Sequence, residues 1–598
     1  MMKLTDPQRE VMAANGHLLI SGGPGSGKTT ISIIKAADIV KHQLRPGQHV
    51  LFLSFARATI SRIMETIGQQ QQILPEHKKS IKVETYHAFF WRVLKTHGYL
   101  VGLPRKLSIL APQNEAIVLA AIRLSDVENT TKQQRTIEQL QQLALEEGRV
   151  CFDLFAHFAA KILHGSYRIR KLISTMYPFV ILDEFQDTNA EQWHVVKVIG
   201  ENSTLLALAD PEQRIYEWIG ADPERLEHFR AEFNPTEIDL GTDNHRNEGT
   251  EIRLFGDHIL RGRFRAKAYS GVECLSYEAN PNQAWTKLTV TILQARKRLL
   301  ASGRSDWSLA ILVPTKRMTR LVSDALSSPP AGLPEISHTA VIEMDGVILS
   351  AELIALMMQL DHDGKHFSNV IDLLCDFYRG RGGENPSKTD LVEAERIRRA
   401  YNDYVARAGK GQSIRRNSLL VDVLDVYKQT RSVVFSGNPD KDWVTLRGIL
   451  ERGSCSRFKT IANEVRNLRL LKRGTQLREA LSQDWRANGA YRNALEIARH
   501  TFLAEHFAMA RRPETGVIIM NMHKAKGKEF DEVIIFDGWP RISQGKIVSN
   551  PDRIVRGNSR QYNNEQTKQN LRVSVTRAKS RATILTPKQH PCILLSDQ

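Results

Sequence analysis

Eight residues, Gly22-Gly23-Pro24-Gly25-Ser26-Gly27-Lys28-Thr29, limit what this chain can be more than any other stretch of it. They match the pattern G-x-x-x-x-G-K-[ST], and they do so between a strand and a helix, the setting that the pattern needs. His17-Leu18-Leu19-Ile20-Ser21 reads as a short buried strand, and Ile31-Ser32-Ile33-Ile34-Lys35-Ala36-Ala37 continues as a helix with its apolar residues on one side. The glycines let backbone amides curl around phosphate oxygens, and the helix amino terminus adds a favourable dipole. Lys28 would reach the β and γ phosphates, and the Thr29 hydroxyl would hold magnesium. The competing reading is a glycine-rich turn with an incidental lysine.

A phosphate loop needs a carboxylate site beside it. Phe179-Val180-Ile181-Leu182 reads as an apolar strand, and Asp183-Glu184 follows at its carboxyl end, where sheets of this class place their ligands. Asp183 would orient magnesium, while Glu184, one residue on and free of the metal, would position or deprotonate an attacking water. Taken alone, an Asp-Glu pair after a strand reads equally as a solvated turn.

Composition narrows the class further. At 598 residues the chain is several times a typical domain of ~100 to 200, so three or four domains are expected. Apolar content of 41% and charged content of 25% are those of a globular protein. No stretch approaches the ~18 apolar residues that span a membrane, and Met1-Met2-Lys3-Leu4-Thr5-Asp6 lacks an apolar signal core, so a cytoplasmic protein without a membrane partner is expected. The five cysteines lie far apart, without the paired spacing of a zinc site or disulfide framework. A net charge of +17 fits a polyanionic partner, a property shared with ribosome-associated and membrane-surface proteins.

After the strand comes Asp183-Glu184-Phe185-Gln186-Asp187, which resembles the second motif of superfamily 1 helicases of the UvrD/Rep type. Other motifs of that family recur in order. Leu4-Thr5-Asp6-Pro7-Gln8 is similar to its glutamine motif, which implies a paired contact of Gln8 with adenine. Val50-Leu51-Phe52-Leu53-Ser54-Phe55 resembles the segment that sets an aromatic residue, here Phe55, against single-stranded DNA, although Ala56-Arg57-Ala58 departs from the usual continuation. In Val83-Glu84-Thr85-Tyr86-His87-Ala88-Phe89 the resemblance implies Thr85 and His87 as phosphate or sugar ligands, with an ordinary buried histidine as the other reading of His87.

Asp210-Pro211-Glu212-Gln213-Arg214-Ile215-Tyr216-Glu217-Trp218-Ile219-Gly220-Ala221 resembles the third motif. There Gln213 would sense the γ phosphate while Tyr216 and Trp218 stack on bases, an interaction of ~1 to 3 kcal/mol that tolerates any sequence. Asn244-His245-Arg246-Asn247 is similar to the fourth motif, which implies Arg246 on the γ phosphate and His245 stacked on adenine, where the family has Tyr. Met520-Asn521-Met522-His523-Lys524-Ala525-Lys526-Gly527-Lys528-Glu529-Phe530 looks like the fifth, with His523 and Lys526 facing DNA phosphates, Glu529 the nucleotide sugar, and Asn521 where Thr is usual. Leu571-Arg572-Val573-Ser574-Val575-Thr576-Arg577-Ala578 looks like the sixth, with Arg577 as arginine finger; the acidic pair that often opens it is reduced to Glu565.

The resemblance implies an α/β fold of two RecA-like motor domains, each a parallel sheet flanked by helices, with two helical insertion subdomains. Motor domain 1A would comprise residues 1–100 and 173–238, insertion 1B residues 101–172, motor domain 2A residues 239–372 and 508–598, and insertion 2B residues 373–507. The arginines of the last insertion, as in Arg396-Ile397-Arg398-Arg399, read either as a duplex-contacting surface or as a solvated helical face. The implied activity is an ATP- and magnesium-dependent helicase that moves 3′ to 5′ on single-stranded and tailed duplex DNA, in repair, recombination or phage defence. The alternative is a nucleic-acid-responsive ATPase that regulates a separate nuclease, since about twenty residues after Ala578 leave no room for a fused one. RNA in place of DNA stays open, because phosphate and stacking contacts do not discriminate.

Overall fold

Strands such as Val50–Ser54 and Thr204–Ala209 are apolar on both faces, the pattern of parallel strands covered by helices on either side. A computed structural model describes residues 4–23, 25–55, 60, 63–64, 66–68, 74–210, 222–241, 249–329, 332–341, 344–360, 364–383, 386–466, 476–507, 515–543, 546–555 and 565–595. The first sheet takes β1 (Leu18–Ser21), β2 (Val50–Ser54) and β3 (Ile81–Thr85). Two short strands, β4 (Ser108–Leu110) and β5 (Arg149–Cys151), pair only with each other among the described residues. The first sheet is completed by β6 (Phe179–Leu182), β7 (Thr204–Ala209) and β8 (Thr236–Asp239). Its order is β3-β2-β6-β7-β1-β8, and every pairing is parallel.

The register decides where chemistry can occur. Ser54 lies opposite Thr85, Leu53 opposite Leu182, and Ser21 opposite both Ala209 and Asp239. The carboxyl ends of six parallel strands therefore share one edge, and the segments beginning at Gly22, Phe55, Tyr86, Asp183 and Asp210 all leave the sheet there.

The second sheet repeats the plan. It is built from β9 (Val272–Tyr277), β10 (Ser308–Val313), β11 (Thr339–Ala340), β12 (Gly516–Asn521) and β13 (Phe530–Phe536). A hairpin of β14 (Arg541–Ser543) and β15 (Lys546–Val548) precedes its last strand, β16 (Ala578–Pro587). The order is β11-β12-β10-β13-β16-β9, again parallel throughout. Alternation splits each strand between two cores: Ala310, Leu312, Ile518 and Met520 pack with the helix Ile252–Arg261, while Leu309, Ile311, Val517 and Ile519 pack with the helices Pro281–Ala301 and Lys316–Ser327. Two parallel sheets flanked by helices are the α/β architecture expected from the sequence.

Both sheets belong to one compact unit, residues 1–101, 155–342 and 509–598. The other unit, residues 102–154 and 343–508, is helical apart from the β4–β5 pair. At its centre runs the helix Asp345–Met358, buried from Val347 to Met358 at all positions but Ile348, with Ser350 and Glu352 the polar residues of that stretch. The helices His366–Gly380, Pro439–Arg452 and Ala494–Phe507 contribute to that core, and Ile117 of the helix Pro112–Leu124 packs against it. Residues 155–172 thus fold with the sheets, and residues 344–372, where described, with the helical unit. Among the described residues no helix is long and apolar enough to cross a membrane.

Candidate functional site

The phosphate loop leaves β1 at Gly22 and enters the helix Lys28–His42 at its first residue. Gly27 stands at the position before that helix with φ 85°, a left-handed conformation that side chains other than hydrogen resist. A methyl group at Gly22 would lie 2.6 Å from Ser26 Oγ, so the tight return of the loop needs glycine there. Ser26 is buried, and its hydroxyl lacks a hydrogen-bond partner among the described residues. Lys28 Nζ donates to the carbonyls of Gly22 at 2.6 Å and Gly23 at 3.0 Å, which holds the ammonium at the mouth of the loop. Gly25 and Thr29 are partly exposed on the same turn, and Pro24 lies outside the described residues.

The carboxylates come from the end of β6. The Asp183 amide donates to Leu53 O at 2.8 Å, and its buried carboxylate accepts from Ser54 Oγ at 2.9 Å. Glu184 has φ 52° and ψ 39°, left-handed backbone in a residue that is not glycine, at a cost of about 1–2 kcal/mol. The turn aims its carboxylate at Gln186, whose Nε2 donates to it at 2.7 Å while Gln186 Oε1 accepts from the Asp210 amide at 3.2 Å. Burial pushes the Glu184 carboxyl up, but Lys526, Lys28, Gln186 and Arg577 outweigh burial and hold it below its ordinary value. Glu184 is therefore ionised at neutral pH.

Two of those partners come from the second sheet. Lys526 follows β12 and forms an ion pair with Asp187 in which the side chains are 4% and 1% exposed. Burial drives the Asp187 carboxyl up to about 7, Lys526 opposing and Glu184 and Asp210 reinforcing the rise. Arg577, just before β16, is buried, with Nε donating to Val573 O at 3.0 Å and Nη1 to Lys528 O at 3.4 Å. Lys28, Glu184, Asp187, Lys526 and Arg577, far apart in the chain, thus form one electrostatic cluster.

The remaining expected residues fall in several places. Gln8 is buried, and its Oε1 accepts from the Thr5 amide at 3.2 Å in a capping box at the start of the helix Asp6–Ala13. Phe55 packs its ring 4.6 Å from that of Tyr86. Thr85 caps the helix Tyr86–His97 by accepting from the Ala88 amide at 3.0 Å, and His87 on that helix faces Phe155 at 6.3 Å. Burial and Lys316 hold the imidazole of His523 below its ordinary pKa, so it is neutral at pH 7. Glu529 is partly buried in the turn before β13. Asn521 accepts from the Lys524 amide at 2.9 Å and so caps the short helical turn that follows β12. Gln213, Tyr216, Trp218, His245, Arg246 and the atypical Arg57 lie outside the described residues.

Sequence reasoning missed three participants. Ser54, at the end of the neighbouring strand, donates to the Asp183 carboxylate, and its signal was a polar residue ending an apolar run. Gln186 sat inside a quoted motif without a role, although it fixes Glu184. Tyr86 is fully buried with a hydroxyl that lacks a hydrogen-bond partner among the described residues. Burial, with the charges of Asp183, Asp187 and Glu184, pushes that phenol well up, so it stays protonated beside the carboxylates.

Comparison with known proteins follows the same lines. Residues 4–143 and 124–234 match the model of the UvrD/REP helicase N-terminal domain. The ATP-dependent DNA helicase Rep of Escherichia coli (strain K12) is 21% identical over 313 residues, 46% of this chain and 46% of the relative. The putative ATP-dependent DNA helicase YjcD of Bacillus subtilis (strain 168) is 21% identical over 277 residues, 41% of this chain and 36% of the relative. The ATP-dependent DNA helicase PcrA of Staphylococcus aureus (strain Mu50 / ATCC 700699) is 20% identical over 367 residues, 54% of this chain and 49% of the relative. The chain thus spans about half the length, or less, of the curated relatives it matches.

Proposed function

This chain is a relative of the UvrD/Rep-type superfamily 1 helicases, and from that premise we propose that it is an ATP-driven DNA motor that moves 3′ to 5′ on single strands and separates duplex. The observation that carries the reading is the convergence of Lys526 and Arg577, from the second sheet, on the Glu184 and Asp187 carboxylates of the first, beside Lys28. A nucleotide on the loop would be held by both halves, so that its hydrolysis changes their separation, a gating motion of the kind that sets many turnover rates.

In this reading Lys28 exchanges the carbonyls of Gly22 and Gly23 for β- and γ-phosphate oxygens. Glu184, ionised and fixed by Gln186, takes a proton from the attacking water. Arg577 neutralises charge on the leaving phosphates, a contribution worth ~10³ to 10⁵ in rate in related chemistry. Thr29 and Asp183 are hard oxygen donors that suit magnesium, which binds through one or two protein oxygens plus substrate phosphates rather than a protein cage. When bound, the ion offsets phosphate charge.

Gln8, His245 and Glu529 would hold base and sugar, with Gln213 and Arg246 on the γ phosphate. Phe55, Thr85, His87, Tyr216, Trp218 and His523 would line the DNA path. Lys526 would join them when its pair with Asp187 opens. The helical residues would supply the insertions 1B and 2B. The test is strand displacement on a 3′-tailed and a 5′-tailed duplex with ATP and magnesium. Displacement of the 3′-tailed substrate alone is expected; ATPase activity without displacement of either leaves a translocase or the regulator of a partner nuclease. Matched DNA and RNA oligonucleotides, compared as ATPase stimulators, decide the substrate class.

A further inference from the structure

Tyr86 stands where the aromatic Phe55 and the carboxylates after β6 come together. In the first sheet Ser54 lies opposite Thr85 and Leu53 opposite Leu182, so Phe55, Tyr86 and the turn at Asp183 leave three adjacent strands at nearly one level. The Tyr86 ring lies 4.6 Å from that of Phe55 and 6.2 Å from that of Phe90. The phenol is also within reach of the charges of Asp183, Asp187 and Glu184. The residue is 0% exposed, and its hydroxyl lacks a hydrogen-bond partner among the described residues. A polar atom so placed costs stability and calls for an explanation, because phenylalanine would fill the same space without that cost.

One of the three carboxylates has an oxygen to offer it. The Asp183 carboxylate accepts from Ser54 Oγ, and that of Glu184 accepts from Gln186 Nε2. Asp187 holds Lys526 through Oδ2, while its Oδ1, also buried, lacks a partner among the described residues. Donor and acceptor are thus both unpaired while Lys526 is in place. Lys526 is the member of the ion pair with a second role in the function proposed above, on a DNA phosphate. Once it leaves, an Asp187 side chain only 1% exposed has lost its counter-charge, and a desolvated carboxylate needs another donor. A phenol O–H is such a donor, and its bonds to carboxylates are short and strong.

We propose that Tyr86 is the alternate partner of Asp187, a positioning residue whose hydroxyl takes over the carboxylate when Lys526 moves to a DNA phosphate, so that strand binding is transmitted to the nucleotide site. The inference rests on the function proposed above, in which Lys526 and Phe55 meet DNA. Both of them act on Tyr86, Lys526 through Asp187 and Phe55 through the ring contact. The Asp187 amide donates to the Glu184 carbonyl at 2.9 Å, so a shift at Asp187 is carried to the residue that would face the attacking water.

The experiment titrates the full chain into fluorescein-labelled oligothymidylate at a series of salt concentrations and follows anisotropy. Y86F removes the hydroxyl and keeps the ring. Its affinity for the strand should fall about ten-fold, the weight of a hydrogen bond to a charged group. The slope of log affinity against log salt should shrink by ~0.7, one phosphate contact, because Lys526 stays on Asp187. The melting temperature of the DNA-free protein should hold or rise, since the lost hydroxyl was unpaired. In the D187N background, where no buried charge is left to satisfy, Y86F should change neither affinity nor slope. Wild-type affinity in Y86F, a loss with the slope unchanged, or the same loss with and without D187N would make Tyr86 a packing residue beneath Phe55 and overturn the proposal. If the wild-type protein does not bind the strand, the proposed function fails and this inference falls with it; binding that Y86F leaves intact refutes this inference alone.

Discussion

The ion pair of Lys526 with Asp187 offers the most quantitative test of how the two sheets are joined. Breaking a buried pair by removing one partner costs about 3–5 kcal/mol, because a desolvated charge is left alone. Here the survivor has an escape, since burial already drives Asp187 from its ordinary 3.8 up to about 7 with Lys526 in place. In K526A the opposing charge is gone, and the carboxyl keeps its proton to still higher pH. The sign follows from proton counting. A carboxyl whose folded pKa is raised binds more protons folded than unfolded, so stability falls as pH rises, until the folded group ionises near 7 in the wild type. Above pH 7 the wild type stops losing stability from this group while K526A continues at about 1.4 kcal/mol per unit. The gap should therefore be small at pH 6 and about 2 kcal/mol wider at pH 8.5 than at pH 7. Urea denaturation of nucleotide-free protein across that range measures it, and in the D187N background K526A should show no such pH dependence. A gap that is flat with pH, or that closes as pH rises, would refute the reasoning.

Other expectations are simpler. K28A and E184Q should each reduce ATP turnover by at least two orders of magnitude in a steady-state assay, and full activity in either would remove that residue from the proposed chemistry. S54A deletes the 2.9 Å bond to a buried carboxylate, so it should cost about 1–3 kcal/mol in stability and raise the magnesium concentration for half-maximal ATPase. An unchanged magnesium dependence would confine Ser54 to packing. G200A would place a methyl group 2.4 Å from the Phe233 ring and 2.7 Å from Leu205, so a loss of about 1–3 kcal/mol is expected, read as a lower melting temperature. A melting temperature at or above that of the wild type would show that the ring moves freely.

The parallel sheets were legible because uninterrupted apolar runs such as Phe179–Leu182 can be covered on both faces only by helices, and the loop at Gly22 fixed the direction of the first of them. Lys28, Asp183 and Glu184 could be proposed from sequence because a phosphate and a metal ion call for those functional groups at strand ends. Ser54 and Tyr86 could not, because their places arise from neighbours: a hydroxyl matters when register sets it against Asp183. Lys526 shows the same difference. A lysine in a motif reads as a surface cation for phosphates, whereas in the fold it is buried against a carboxylate from 339 residues away.

The strand order of the two sheets also sets a timetable. The first sheet has all its strands once Asp239 has been made, whereas β9, on the edge of the second, pairs only with β16, the last strand of that sheet in the chain. At ~5–20 residues per second, the roughly 350 residues between Asp239 and Pro587 take a ribosome about 20 to 70 seconds. During that interval the nascent chain carries a complete first sheet while β13 and β9 lack the strand that lies between them, which leaves open strand edges for pairing with other chains. Slow codons before β16 or the absence of a chaperone should thus appear as aggregation during synthesis, while the completed protein stays soluble.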